Sequence, residues 1–213
     1  MKRKQATIGK KGFTLIEIFV VIAILAVLAT MGWQATGLVK SRRLYKTAEV
    51  QINLMATGMN AYRQDYGDVL PYGDGDDWSS HALYSALYCD ADNDGEPDKD
   101  RDTHETKVPY CEAISPVESL KHADEVPNGI IATKVSMKGG SGKKKGKYYA
   151  IIDPWGKPYC YRLGFSMKDD SNRPGKGINS DFDIFSRGPD GLGDGMDNQN
   201  DNEDNVSNVL SWD

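Results

Sequence analysis

The residues of this chain most able to do chemistry are carboxylates at turn-forming spacing. Asp190, Asp194, Asp197, Asp201, Glu203 and Asp204 crowd a stretch of 15 residues that also holds glycines and asparagines. Unpaired carboxylates held close repel one another, so a compact loop of this composition needs a cation. Oxygen donors suit a hard ion such as Ca²⁺, and the His and Cys ligands that zinc favours are missing from the stretch. A second acidic run is Asp90-Ala91-Asp92-Asn93-Asp94-Gly95-Glu96-Pro97-Asp98. It sets Asp90, Asp92 and Asp94 at alternate positions before a turn glycine, with Asp98 beyond, as a Ca²⁺ ion with about six to eight oxygen ligands would require. The third candidate is Glu17, the one ionisable residue between positions 13 and 33. A carboxylate inside a membrane costs at least ~2.5–3.5 kcal/mol on insertion scales, and such residues usually have a partner. No nucleophile stands beside a base, and the carboxylates lie in loop-forming segments rather than a pocket. No enzymatic activity is expected.

The element that must position Glu17 is an apolar run of 21 residues, positions 13–33. As a helix it spans roughly 32 Å, enough for the hydrocarbon core of a bilayer. A secretory signal is cut after a shorter apolar run, of about 7–15 residues. Here the candidate cleavage site, Gly12, lies before the run, so the run stays in the processed chain. The leader, residues 1–12, carries Lys2, Arg3, Lys4, Lys10 and Lys11 and no acid. Its removal takes the formal charge from −5 to −10, which argues against a nucleic-acid partner and suits divalent cations. The positive-inside rule places the leader in the cytoplasm, although Lys40, Arg42, Arg43 and Lys46 flank the other end.

Gly12-Phe13-Thr14-Leu15-Ile16-Glu17, preceded by Lys10-Lys11, resembles the class III signal of type IV pilins and type II secretion pseudopilins. The resemblance implies a membrane peptidase that cuts after Gly12 and methylates the new amino terminus on Phe13. It also implies that Glu17 pairs with the amine of the adjacent subunit during fibre assembly. Helix physics alone leaves a second reading open, in which Glu17 snorkels to the headgroups from one turn inside. The resemblance sets the orientation: leader in the cytoplasm, a single pass through the bacterial inner membrane, and the remainder in the periplasm. Cys89, Cys111 and Cys160 would then meet an oxidising compartment. A Cys89–Cys111 bridge that closes the Asp-rich run is the favoured pairing, with three free, half-buried thiols as the other.

Beyond the run, Tyr45, Ala48, Ile52, Met55, Met59, Tyr62 and Tyr66 recur at alternating steps of three and four. That spacing predicts an amphipathic continuation of the helix over 34–66, its seam packed on a globular domain. Gly67 and Pro71 end it. Ser79 to Tyr88 reads as a short helix capped by Ser79 or Ser80, with His81 on its solvated side. Residues 114–120 read as a helical turn and 130–135 as a strand. A glycine- and lysine-rich loop, 138–147, follows. Tyr148-Tyr149-Ala150-Ile151-Ile152, Pro158-Tyr159-Cys160-Tyr161-Arg162-Leu163 and Phe182-Asp183-Ile184-Phe185-Ser186 are β-rich, and Asp153-Pro154-Trp155-Gly156-Lys157 is a turn between the first two. The expected fold is α+β: a long N-terminal transmembrane and amphipathic helix packed on a small antiparallel sheet, type IV pilin-like by resemblance.

The turn and its sequel, Asp153-Pro154-Trp155-Gly156-x-Pro158-Tyr159, resemble a segment of type II secretion major pseudopilins. So does Asp183-Ile184-Phe185-Ser186-Arg187-Gly188-Pro189-Asp190-Gly191. In that subfamily the loop after the strand holds one Ca²⁺, and the resemblance implies as ligands the side chains of Asp190 and Asp204 and the Arg187 carbonyl. Asp201 and Asp197 are further candidates. The Asp90 run resembles the first half of an EF-hand or thrombospondin-type loop, but the twelfth position is Arg101 in place of a bidentate glutamate. The resemblance covers residues 8–88 and 148–213. The chain is thus read as a leader (1–12), a transmembrane helix (13–33), its continuation (34–66) and a periplasmic domain (67–213). That domain carries an acidic insertion (89–147) and a calcium loop (187–205). The expected role is a pseudopilin subunit that polymerises into the periplasmic fibre of a type II secretion system. Its partners would be the prepilin peptidase, other pseudopilin subunits and the inner-membrane secretion platform. The alternatives are a type IV pilus or DNA-uptake pilin, and a membrane-tethered calcium-binding protein that never polymerises.

Overall fold

The computed structural model describes residues 13–67, 69–74, 76–120, 129–137, 146–169, 178–191 and 206–207, with backbone alone for 29–40, 77, 168–169 and 206–207. Helix α1, Leu15–Tyr66, runs for 52 residues. The chain divides into two compact units, Met1–Arg43 and Leu44–Asp213.

Over residues 15–28 of the first unit the helix is apolar apart from Glu17. Leu15, Ile16, Phe19, Ile22 and Leu25 are all exposed, on different faces. A helix of this kind finds no polar face to turn to water and suits apolar surroundings. Among the described residues no helix is long and apolar enough to cross a membrane. The run whose side chains are described, 15–28, covers about 21 Å of the roughly 30 Å that a hydrocarbon core requires. The side chains of 29–33, which complete the expected span, lie outside the described residues.

In the second unit the predicted seam is the buried face. Ala48, Ile52, Met55 and Met59 are fully buried, Tyr45 and Tyr62 are half-buried, and Tyr66 is exposed. The helix stops where Gly67 turns left-handed, φ 70°, and donates its N–H to the Arg63 carbonyl at 2.8 Å. Helix α2, Asp77–Tyr88, begins earlier than expected. Its N-cap is Asp76, not Ser79 or Ser80. The Asp76 carboxylate accepts from the Ser79 N–H at 2.9 Å and the Ser79 hydroxyl at 2.7 Å, so a charged acceptor three residues upstream of Ser79 takes these donors.

His81 is buried, not solvated. Its Nδ1 lies 3.0 Å from the Tyr149 carbonyl, and its ring sits 5.2 Å from Trp78 and 5.0 Å from Tyr148. A carbonyl only accepts, so Nδ1 carries the proton. Burial pushes the imidazole below its ordinary value, against opposing pulls from the Tyr149 carbonyl and the charge of Asp90.

The strands are β1 (Val69–Leu70), β2 (Ile114–Val117), β3 (Ile130–Met137), β4 (Gly146–Ile152), β5 (Cys160–Leu163), β6 (Lys168–Asp169), β7 (Phe182–Ser186) and β8 (Val206–Ser207). They form three small sheets, ordered β2-β3-β4, β5-β7-β8 and β1-β6. The architecture is α+β, but the single antiparallel sheet expected from the sequence is divided. Strand β4 pairs with β3, from Ile131↔Ile152 to Met137↔Gly146, and β5 pairs with β7. Pro154 and Pro158 interrupt the turn between β4 and β5, and only one isolated bridge, Ile152↔Pro158, joins its ends. Residues 114–117 are a parallel edge strand on β3, not a helical turn. Pro116 is tolerated there because an edge leaves one side of the strand unpaired. The stretch read as an acidic insertion therefore contains β2, β3 and the start of β4.

Among the described residues one large core joins most of these pieces, and Met137, Ala150 and Ile152 form a second, smaller cluster. Ile52, Met55 and Met59 of α1 meet Leu83, Tyr84 and Leu87 of α2 and Ile130, Ile151, Tyr161 and Ile184 of the strands. No disulfide joins Cys89, Cys111 or Cys160. The favoured Cys89–Cys111 bridge is not formed: Cys89 ends α2 in a left-handed conformation, φ 60°, with Sγ toward the carbonyls of Ala86 and Val108 at 3.9 and 3.7 Å.

Candidate functional site

The sequence places candidate chemistry at the start of α1, in the acidic run after α2, and at the loop that follows β7. At the start of α1, Glu17 is not an isolated charge. Its Oε2 accepts from the Thr14 N–H and the Thr14 hydroxyl, both at 2.8 Å, and its own N–H donates to the Thr14 hydroxyl at 3.3 Å. This is a reciprocal capping box, and Thr14-x-x-Glu17 is its sequence signature. The signature was legible, but the apolar setting of the glutamate drew the reading toward an intermolecular partner. Phe13, 82% exposed, leads into the cap. Gly12 lies outside the described residues.

In the acidic run, Asp90, Asp92 and Asp94 converge. Each offers a carboxylate oxygen, and these lie within 4.8 Å of one another. Asp98 does not join them; it accepts from the Ala91 N–H at 2.8 Å. Asp90 is fully buried and acts as the internal acceptor of the loop. It takes the Tyr84 hydroxyl at 2.7 Å and the N–H groups of Asn93 at 2.6 Å and Gly95 at 3.0 Å. Asp92 is exposed, and its carboxyl is pushed up by desolvation and by the charge of Asp94. Asn93, left-handed at φ 66°, fastens the loop to β4: its Oδ1 accepts from the Tyr149 N–H at 2.8 Å and its Nδ2 donates to the Lys147 carbonyl at 3.2 Å.

The third place is built by the turn between β4 and β5 and the chain leaving β7. Asp153 is the joint. Its Oδ1 accepts from the N–H groups of Trp155 at 3.0 Å and Lys157 at 2.8 Å, and its Oδ2 from the Ser186 hydroxyl at 2.5 Å. The Ser186 oxygen in turn accepts from the Gly188 N–H at 3.0 Å. Burial pushes the Asp153 carboxyl up, and the hydrogen bonds from Ser186, Lys157 and Trp155 pull it back. The ring of Trp155 meets Tyr45 of α1 edge-on at 5.0 Å. From this joint the chain passes half-buried Arg187 to exposed Asp190. Asp197, Asp201 and Asp204, which complete the expected ligand set, lie outside the described residues. The donors within 187–190 are carbonyl and carboxylate oxygens, which fit a hard cation.

The family model of the prokaryotic N-terminal methylation motif matches residues 9–33. The chain carries a class III prepilin signal. No curated protein and no solved structure matches it. The signal fits a pseudopilin or type IV pilin-like protein. The motif indicates a substrate of the prepilin peptidase, of the pilin-like kind that assembles with other pilin subunits. The capped turn at Thr14 and Glu17 lies inside the matched region.

Proposed function

We propose that this prepilin is a pseudopilin, processed after Gly12 and polymerised into the short periplasmic fibre of a type II secretion system. The observation that carries the reading is the methylation motif at 9–33, with Glu17 in the fifth place after the processing glycine. Residues 13–33 hold the precursor in the inner membrane as a single span, and the second unit stands in the periplasm. The secretion platform of that membrane supplies the assembly machinery. What favours secretion over a pilus is the pair of segments at 153–159 and 183–191. They resemble major pseudopilins in sequence, and in the fold they are joined through Asp153 and Ser186.

The test is the mass of the membrane-extracted protein. A chain that begins at N-methylated Phe13 is the expected result. An intact Met1 in cells that hold the peptidase would overturn the reading and leave a tethered binding domain. Long extracellular fibres would favour the pilus alternative.

Calcium is part of the proposal. Arg187 through its carbonyl and Asp190 through its carboxylate would open the ligand set, with Asp204, Asp201 and Asp197 as its continuation. Bound to the folded loop alone, the ion adds stability by mass action. Asp190→Ala is expected to lower the melting temperature in calcium and to leave it unchanged in chelator. A mutant with the wild-type calcium response would remove Asp190 from the site. The Asp90, Asp92 and Asp94 cluster is a second candidate for the same ion, separable by the matching Asp92→Ala melt.

A further inference from the structure

The last turn of α1, strand β1, helix α2 and the acidic run line a cleft of about 430 Å³ within the second unit. That volume is in the usual range for a ligand site, ~300–1,000 Å³. Its walls are aromatic: Tyr62, Tyr66, Tyr72, Trp78 and Tyr110 all face it. Tyr66 is 52% exposed, yet its ring is held, stacked on Tyr62 at 4.4 Å and edge-on to Tyr110 at 6.4 Å. Leu70 and Pro71 add aliphatic surface. The polar groups give the sign of a guest. The Tyr110 hydroxyl donates to Asp65 Oδ2 at 2.6 Å, and the Tyr72 hydroxyl is shared by Asp76 at 3.2 Å and Asp74 at 3.3 Å. Burial, with these carboxylates, pushes both phenols well above their ordinary value, so they stay protonated. A phenol that donates to a carboxylate gains electron density, which deepens the negative ring face that a cation seeks. Asp98 lines the cleft itself, so four carboxylates stand in or beside a lining whose one ammonium, among the described residues, is that of Lys107. His81 also lines it, and with Nδ1–H given to Tyr149 its Nε2 is an acceptor.

The geometry points to a docking cleft for a basic side chain of a partner polypeptide, arginine before lysine. A guanidinium is planar, stacks on aromatic faces and forks onto a carboxylate, where an ammonium is a point charge. Its methylene stem covers apolar surface while the head stays polar. Tyr66 and Tyr110 offer the faces, Asp98 the carboxylate, and Leu70 and Pro71 a bed for the stem. Carboxylates that surround aromatic walls favour a cationic guest and turn away an anionic one. Lys107 opposes the guest and limits its affinity. This recognition needs neither a bound ion nor a particular kind of fibre.

The test is calorimetric titration of the full chain in detergent, at low salt, with the peptide acetyl-Gly-Gly-Arg-Gly-Gly-amide. The same peptide with lysine or uncharged citrulline in place of arginine, and n-butylguanidinium alone, are titrated beside it. The arginine peptide is expected to bind, the lysine peptide more weakly, and the citrulline peptide roughly tenfold more weakly, the loss of one cation–π and carboxylate contact. Tyr66→Leu keeps an apolar side chain at an exposed position and removes a ring face; it is expected to weaken the arginine peptide about three- to fivefold. Lys107→Met removes the opposing ammonium and is expected to tighten it about twofold. Melting temperatures check that both variants fold, and either one alone decides the outcome if the other does not. Citrulline that binds as well as arginine would make the cleft a plain apolar groove and overturn the proposal. Weaker binding by Lys107→Met would give the guest the opposite sign and overturn it too, as would unchanged affinity in Tyr66→Leu or no binding of the arginine peptide at millimolar concentration. n-Butylguanidinium that binds as tightly as the peptide would hand the cleft to a free organic cation and overturn the partner assignment.

Discussion

Glu17→Leu is expected to abolish incorporation into fibres while leaving a processed subunit with a folded second unit. The substitution removes the reciprocal cap with Thr14, a loss of about 0.5–2 kcal/mol that frays the first turn of α1 and no more. It also removes a carboxylate from an apolar segment, which eases insertion by ~3 kcal/mol on translocon scales. Neither effect reaches the core around Ile52 and Met59. A failure to assemble would therefore report a missing intersubunit partner. Glu17→Gln separates the two roles. Glutamine serves at the third position of a capping box, so the cap survives and the charge is lost. Sheared-fibre and membrane fractions, blotted for the subunit, give the readout. If charge pairing to the neighbouring amine drives docking, both variants stay in the membrane fraction. Normal fibres from Glu17→Gln would assign the residue to capping alone.

Asp153→Ala is the second large effect. It strands the Ser186 hydroxyl and the N–H groups of Trp155 and Lys157, in a site that is 4% exposed. An unsatisfied buried donor costs about 1–3 kcal/mol, and three that share one acceptor do not add fully. A loss of ~3 kcal/mol, or roughly 10 °C in melting temperature for a domain of this size, is expected. The loss should appear in chelator as well as in calcium, because the hydrogen bonds do not depend on an ion. Asp153→Asn keeps one acceptor oxygen and should fall between. A melting temperature for Asp153→Ala within about 1 °C of wild type would contradict the joint described here.

Much of the framework was legible because its signals are local. The three-and-four spacing of Ala48, Ile52, Met55 and Met59 is a property of one helix, and it named the buried face. Gly67 marked the stop, and the β-rich run at 182–186 gave β7 with its bounds. What was missed depends on distant chain. Strand β4 could pair with β3 or with β5, and the choice rests on the proline-flanked turn between β4 and β5. His81 has an ordinary helical neighbourhood in sequence, and only the approach of β4 buries it. Asp90 reads as a metal ligand by spacing, yet Tyr84 from the preceding helix claims one of its oxygens. The Asp76 cap was overlooked because two serines offered the same chemistry nearer the apolar residues. At the loop after β7, sequence named Arg187 and Asp190 but not Asp153, Ser186 and Lys157. Their connection crosses 30 or so residues and has no spacing of its own.

The edge-on contact of Trp155 with Tyr45 has a bearing on how the domain comes apart. Local opening is governed by which contacts must break together. The five-residue turn that holds Trp155 against α1 is the turn whose Asp153 fastens Ser186 and whose Lys157 reaches Pro189. Releasing it breaks the Tyr45 contact of α1 and the Ser186 and Pro189 contacts of the chain leaving β7 together, although these residues stand far apart in sequence, while Ile52, Met55 and Met59 still hold the helix in the core.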